Sequence, residues 1–121
     1  MRLVILESPF AGKSPFRPLA AWQRWRNKVY ARRCVRHALM QGDVPMASHL
    51  LYTQPGILRD ADPVERRIGI EAGLAWGVAA AATVVYVDRG VSPGMKLGVR
   101  RAEQEGRPVE YRTMYGTRTV S

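Results

Sequence analysis

The stretch TVVYVDRGVSPGM, residues 83–95, decides the fold. Thr83 to Val87 is a β-branched and aromatic run with the composition of a buried strand, and Asp88-Arg89-Gly90 closes it. Ser92-Pro93 then reads as an N-cap followed by a proline at the first helical position, opening a helix that ends near Gly106. Strand, short loop and helix in that order make half of a β-α-β unit.

The same alternation continues outward. Arg2 to Ser8 is a leucine and β-branched run ended by Ser8-Pro9, which predicts a buried first strand, and a proline-rich loop follows from Pro9 to Pro18. From about Ala21 to Gln41, Trp22, Trp25, Val29, Tyr30, Val35, Ala38 and Leu39 recur at helical spacing, with Gly42 just past the end. Pro45 to Leu50 is a second strand candidate leading into a polar loop from His49 to Asp60. Asp62-Pro63-x-Glu65 supplies an N-cap, a first-turn proline and a capping-box glutamate for a helix running to about Ala81. Arg107 to Arg112 is the last strand, so residues 1–112 form one domain and 113–121 a polar, frayed tail. Strands too far apart for hairpins, with helices between them, predict an α/β fold of three layers around a small parallel sheet of four or five strands. In such a sheet ligands bind beyond the carboxyl ends of the strands. Glu7 to Gly12, Ser48 to Gln54, Asp88 to Met95 and the chain from Arg112 onward converge there.

The composition excludes several classes. A chain of 121 residues, 46% hydrophobic and 24% charged, is neither disordered nor fibrous and suits one domain. Cys34, the single cysteine, cannot form an internal disulfide or a Cys-based zinc site, and inside the first helix it reads as a buried, inert thiol. The start MRLVILE turns acidic too soon for a signal peptide. The longest apolar run, Val78 to Val87, is about half of the roughly 20 residues a membrane span needs, so a cytoplasmic protein is expected.

The formal charge is +9, and between Ser8 and Gly42 there are eight basic residues and no acidic one. Such a face fits a solvated helix surface, a phosphate-bearing small ligand or nucleic acid. Trp22, Trp25 and Tyr30 interleave with the arginines as a base-stacking face would, but their helical spacing assigns them to the core or a subunit interface. Nucleic acid is therefore the less favoured partner.

Ala11-Gly12-Lys13-Ser14 resembles part of a phosphate loop, but the glycine needed five residues before Gly12 is Glu7, and Pro15 would interrupt the following helix. Lys13 remains as a mobile cation for a phosphate. Ser92, with the backbone N–H groups of Gly94 and Met95 at a helix N-terminus, suits an anion as well as an ordinary serine cap. His49 lies where a strand should end, near Tyr52 and Gln54; with His37 the only other histidine, no metal constellation forms and no cofactor is implied. Glu7 and Asp88 are the carboxylates that face the crevice.

Glu7-Ser8-Pro9-Phe10-Ala11-Gly12, Tyr30-Ala31-Arg32-Arg33, the run Ala47 to Gln54, Gly69-Ile70-Glu71-Ala72-Gly73-Leu74, and Asp88 through Met95 to Val109 together carry a family resemblance. The chain resembles nucleoside 2-deoxyribosyltransferase-like proteins, especially their short phage and bacterial members of unknown function. The resemblance implies a Rossmann-like or flavodoxin-like fold, a nucleoside or 5'-nucleotide ligand, a homodimer or larger homo-oligomer, and, for a phage protein, the host cytoplasm. Those transferases attack the anomeric carbon with a glutamate. Asp88 matches the first acidic residue of their pattern, Ser92 stands in place of the second and Gly98 in place of the nucleophile. Serine at that position resembles the nucleoside 5'-monophosphate N-glycosidases, where it holds the 5'-phosphate.

Two functions follow from the resemblance. One is an enzyme of N-glycosidic bonds, a transferase or hydrolase whose carboxylate is Glu7, Asp88 or a residue from a partner subunit, serving as nucleophile or as the charge that stabilises an oxocarbenium ion. In it Phe10 stacks on the base, Ser8, Pro9 and Gly12 contact the ligand beside it, His49, Tyr52 and Gln54 orient base or sugar, and Ser92, Gly94 and Met95 hold phosphate. The other is a non-catalytic protein that sequesters a nucleotide or an ADP-ribose-type ligand on the same scaffold.

Overall fold

Val4, Leu6, Ala82, Val84 and Tyr86 pack together on one face of a sheet against Tyr30, Cys34 and Ala38 of a long helix. Val85 and Val109 point to the opposite face, against Met95 and Ala102 of another helix. Strict alternation on strands buried from both sides gives three layers, as the sequence predicts. The computed structural model describes residues 1–10 and 15–119. The elements are β1 (Arg2–Glu7), α1 (Arg17–Met40), β2 (Asp43–Met46), α2 (Ser48–Leu51), α3 (Pro63–Ala75), β3 (Ala82–Tyr86), α4 (Pro93–Gln104), β4 (Val109–Thr113) and β5 (Gly116–Thr119). The sheet order is β2-β1-β3-β4-β5, with the first four strands parallel and β5 antiparallel to β4. Strand order reverses between β1 and β3, the doubly wound arrangement of Rossmann-like folds. No helix among the described residues is long and apolar enough to cross a membrane.

Local chemistry sets the helix ends. The Asp62 carboxylate accepts the Val64 N–H at 2.9 Å, and Ser92 Oγ accepts the Met95 N–H at 3.3 Å, each ahead of a first-turn proline. Gly42 and Gly106, at φ +88° and +69°, follow α1 and α4 in the left-handed conformation that terminates helices.

Several expected boundaries move. The second strand occupies Asp43–Met46 instead of Pro45 to Leu50, because its pairing with β1 ends at Ile5↔Met46 and Ser48–Leu51 then turns helical. The helix expected to reach Ala81 is α-helical only to Ala75, then tightens to a 3-10 turn over Trp76–Ala79 around Gly77. The segment read as a polar tail turns back at Met114–Tyr115, and its β-branched threonines pair as β5 beside β4. Trp22 and Trp25, assigned to core or interface, are 50% and 60% exposed. The buried stripe of α1 is Asn27, Tyr30, Ala31, Cys34 and Ala38. At about 100° per residue Trp25 falls half a turn out of phase with Cys34, so the tryptophans are in register with each other but not with the stripe. Cys34 is fully buried, and burial pushes its thiol up to about 12. In α3, the main contacts are with α2 and the 3-10 turn instead of the sheet.

A partly buried charge network, centred on the buried Asp43 and Arg112, ties the sheet under α1. Arg112 donates to Asp43 at 2.7 Å and to Glu110 at 3.1 Å, while Arg2 donates to Asp43 at 3.0 Å and to Glu110 at 2.6 Å. Burial opposes ionisation of Asp43, but the hydrogen bonds from Arg112 and Arg2 overcome it and hold the carboxyl below its usual range. Asp43→Ala should lower unfolding stability by at most about 3–5 kcal/mol in urea titrations at neutral pH, since it takes from the buried Arg112 the closer of its two carboxylate partners. The difference from wild type should shrink as pH falls through the lowered Asp43 titration, where the paired carboxylate is lost.

Candidate functional site

The strand reversal leaves a crevice at the carboxyl ends of β1 and β3, and a cavity of about 410 Å³ occupies it. β1 contributes Glu7 and the residues just after it, Ser8 and Phe10; α2 and its end contribute Ser48, His49 and Tyr52. The first turns of α4 contribute Ser92, Gly94, Met95 and Gly98. Along α3, Gly69 and Gly73 line the opposite wall, where the absence of side chains lets α2 approach. A Cβ at Gly73 would lie 2.8 Å from Ser48 Cβ, and one at Gly69 would lie 3.2 Å from Leu58 Cδ1.

Glu7 and Gly98 meet inside this cavity. A Cβ on Gly98 would collide with Glu7 Cδ and Oε2 and would lie 3.0 Å from Oε1. The carboxyl group from the end of β1 therefore fills the space in which a side chain on α4 would begin. Burial pushes Glu7 up to about 8, against the opposing pull of the Arg107 charge, so its carboxyl is mostly protonated at neutral pH.

His49 is the second tuned group. Burial pushes it down to about 4, which keeps the imidazole neutral at physiological pH. Its Nε2 shares a 2.8 Å hydrogen bond with Ser8 Oγ, and its ring meets Phe10 edge-on with centroids 6.0 Å apart. Tyr52 Oη accepts the Trp76 indole N–H at 2.7 Å, joining the end of α2 to the 3-10 turn. At the start of α4 the Ser92 side chain is occupied as a cap, and the Ser92 N–H donates to Met95 Sδ at 3.3 Å. Pro93 has no N–H, so Gly94 carries the first-turn donor that the cap leaves available.

The other expected site residues lie elsewhere. Pro9 is buried outside the cavity lining, and Gln54 Nε2 donates to the Leu50 carbonyl at 3.0 Å. Gly12 and Lys13 fall outside the described residues. Asp88 borders a second cavity, of about 420 Å³, on the α1 side of the strand tips. Its carboxylate accepts the Tyr30 hydroxyl at 2.7 Å and the Met114 N–H at 3.1 Å, tying α1 to the β4–β5 turn.

Sequence reasoning missed Arg66 and Arg107, which both line the first cavity. Arg107 is buried, donating to Thr83 Oγ1 at 3.0 Å, the Gly77 carbonyl at 2.7 Å and Glu105 at 2.6 Å. Thr83 and Gly77 lie 24 and 30 residues away, so no local pattern marks Arg107. The spacing of Gly69, Gly73 and Gly77 was the available signal for a close-packed helix wall. No group of three or more His, Cys, Asp or Glu side chains that could hold a metal occurs among the described residues.

A family model described as a domain of unknown function, DUF7768, matches residues 2–112. No curated protein and no solved structure matches the chain.

The cavity makes two predictions. Gly98→Ala should destabilise the protein by about 1–3 kcal/mol through overpacking against Glu7, and adding Glu7→Gly should recover part of that loss in a double-mutant cycle of urea midpoints. Glu7→Gln should leave the melting temperature nearly unchanged at pH 4.5 and raise it at pH 8. The sign follows from the raised titration, because the folded state holds a proton between the ordinary carboxyl value and about 8 that the unfolded chain releases, so wild-type stability falls as pH rises through this window.

Proposed function

The chain belongs to the DUF7768 family, and from its cavity we propose that it hydrolyses the N-glycosidic bond of a nucleoside 5'-monophosphate, with Glu7 as the acid. The observation that carries this reading is the Glu7 carboxyl seated against Gly98. Position 98 is where the resemblance to deoxyribosyltransferase-like enzymes puts a carboxylate, and here β1 delivers one to the same place. A carboxyl that stays protonated at neutral pH suits general acid catalysis better than attack.

In this mechanism the C1'–N bond breaks with its electron pair going to the base, and the Glu7 hydroxyl gives its proton to a base ring nitrogen. Water adds to C1' and passes its proton to the Glu7 carboxylate, restoring the acid. Phe10 offers the base an apolar ring. Neutral His49, bonded to Ser8, orients the sugar without introducing a charge. The Gly94 N–H at the positive end of α4 and the Arg66 guanidinium face the phosphate.

Non-catalytic binding of a nucleotide or ADP-ribose-type ligand is the second reading. It is favoured by the placement of Asp88 in the other cavity, which takes from Glu7 the acidic partner that the resemblance implies. Calorimetry with 5'-monophosphates, nucleosides and ADP-ribose, followed by chromatography for free base, separates the two. Wild type should release base, and the rate should fall as pH rises past about 8. Glu7→Gln should bind the same ligand and release at least about 100-fold less base, as expected when a general acid is lost. Ligand recovered whole from wild type would establish the binder.

A further inference from the structure

The outward face of α1 is the largest feature that the cavity leaves unexplained. At about 100° per residue Trp22, Trp25, Arg26, Arg32, Arg33 and Arg36 share one side of this helix, opposite its buried stripe. All six are exposed. None of these arginines forms an ion pair with a carboxylate among the described residues. The Arg26 guanidinium lies over the Trp22 ring, 4.8 Å from its centroid, and Arg89 lies 5.8 Å from that of Tyr30. The second cavity opens beside this face between Trp25, Arg33, Arg89 and Tyr115. Its one carboxylate, Asp88, already accepts from Tyr30 and Met114.

We propose that this face binds single-stranded nucleic acid, with bases stacked on Trp22 and Trp25 and phosphates paired with Arg26, Arg33 and Arg89. The charge argues for a polyanion, since the chain from Ser8 to Gly42 contains no acidic residue. A second copy of the protein is a poor occupant, because a two-fold contact would set these arginines against their own counterparts. The protruding indole rings argue for unpaired bases, whose π-faces are accessible, over a stacked duplex. From Trp22 to Arg36 the face runs about 21 Å along the helix, enough for several nucleotides. The inference is independent of the Glu7 cavity.

The test is fluorescence anisotropy of a labelled oligothymidylate of about 15 nucleotides with the full-length protein, against the same sequence in duplex form. Affinity should weaken on the order of 20–100-fold between about 50 and 200 mM salt, as for roughly 3–5 single-strand phosphate contacts. Trp22→Ala with Trp25→Ala should weaken binding at least about 10-fold, and Arg26→Gln with Arg33→Gln should flatten the salt slope by about 1.4. All four positions are exposed, so melting temperatures should match wild type. Glu7→Gln should bind as wild type does, which keeps this result separate from any outcome at the cavity. Absence of binding at low salt, preference for the duplex, or affinity unchanged by both double variants would overturn the proposal.

Discussion

Asp43 is held by arginines from two other strands, and the arrangement of the sheet depends on this network. Arg112 from β4 and Arg2 from β1 both reach a carboxylate on β2, and both also bond Glu110. Asp43 and Arg112, the two buried members, tolerate no change of register, because a one-residue slip would turn each side chain to the other face and strand it. The network thus fixes where each parallel strand ends. Those ends place Glu7 and Ser8 on one side of the strand tips and Asp88 on the other. The positions of both cavities follow from a set of ion pairs that touches neither.

Within the first cavity the governing fact is one of space. A strand-end glutamate and a helical glycine share a volume that holds one side chain. Gly98 is required by Glu7, and Glu7 is kept uncharged by the apolar surroundings that Gly98 helps to close. With His49 also neutral, the buried charge in the lining is Arg107, which is paired with Glu105, and the exposed Arg66 guanidinium belongs to the rim. A polar ligand with an anionic end and an uncharged ring matches that division.

Much of this architecture was legible in the sequence. Strand-loop-helix punctuation at Thr83 to Met95, the capping residues Asp62 and Ser92, and the alternation of buried strands all act through neighbours a few residues away, and they located three of the four parallel strands and the three longer helices. Glu7, Ser8, Phe10, His49 and Tyr52 could be placed together because the ends of parallel strands converge. What the sequence hid depends on partners far along the chain. Arg107 is defined by Thr83 and Gly77, Asp88 is claimed by Tyr30 and Met114, and the phase of Trp25 on α1 is set by which residues fit small against the sheet. β5 was missed for another reason, since a short threonine strand at an edge has no apolar pattern to announce it.

The position of α3 has one more consequence. The helix rests on α2 and the 3-10 turn, and the first cavity lies where its core-facing side would otherwise be packed. Whatever enters that cavity becomes part of the hydrophobic interior beneath the helix. Occupancy and the local opening of α3 are then two descriptions of one equilibrium, and the backbone amides of Gly69 to Ala75 would report on the ligand without touching it.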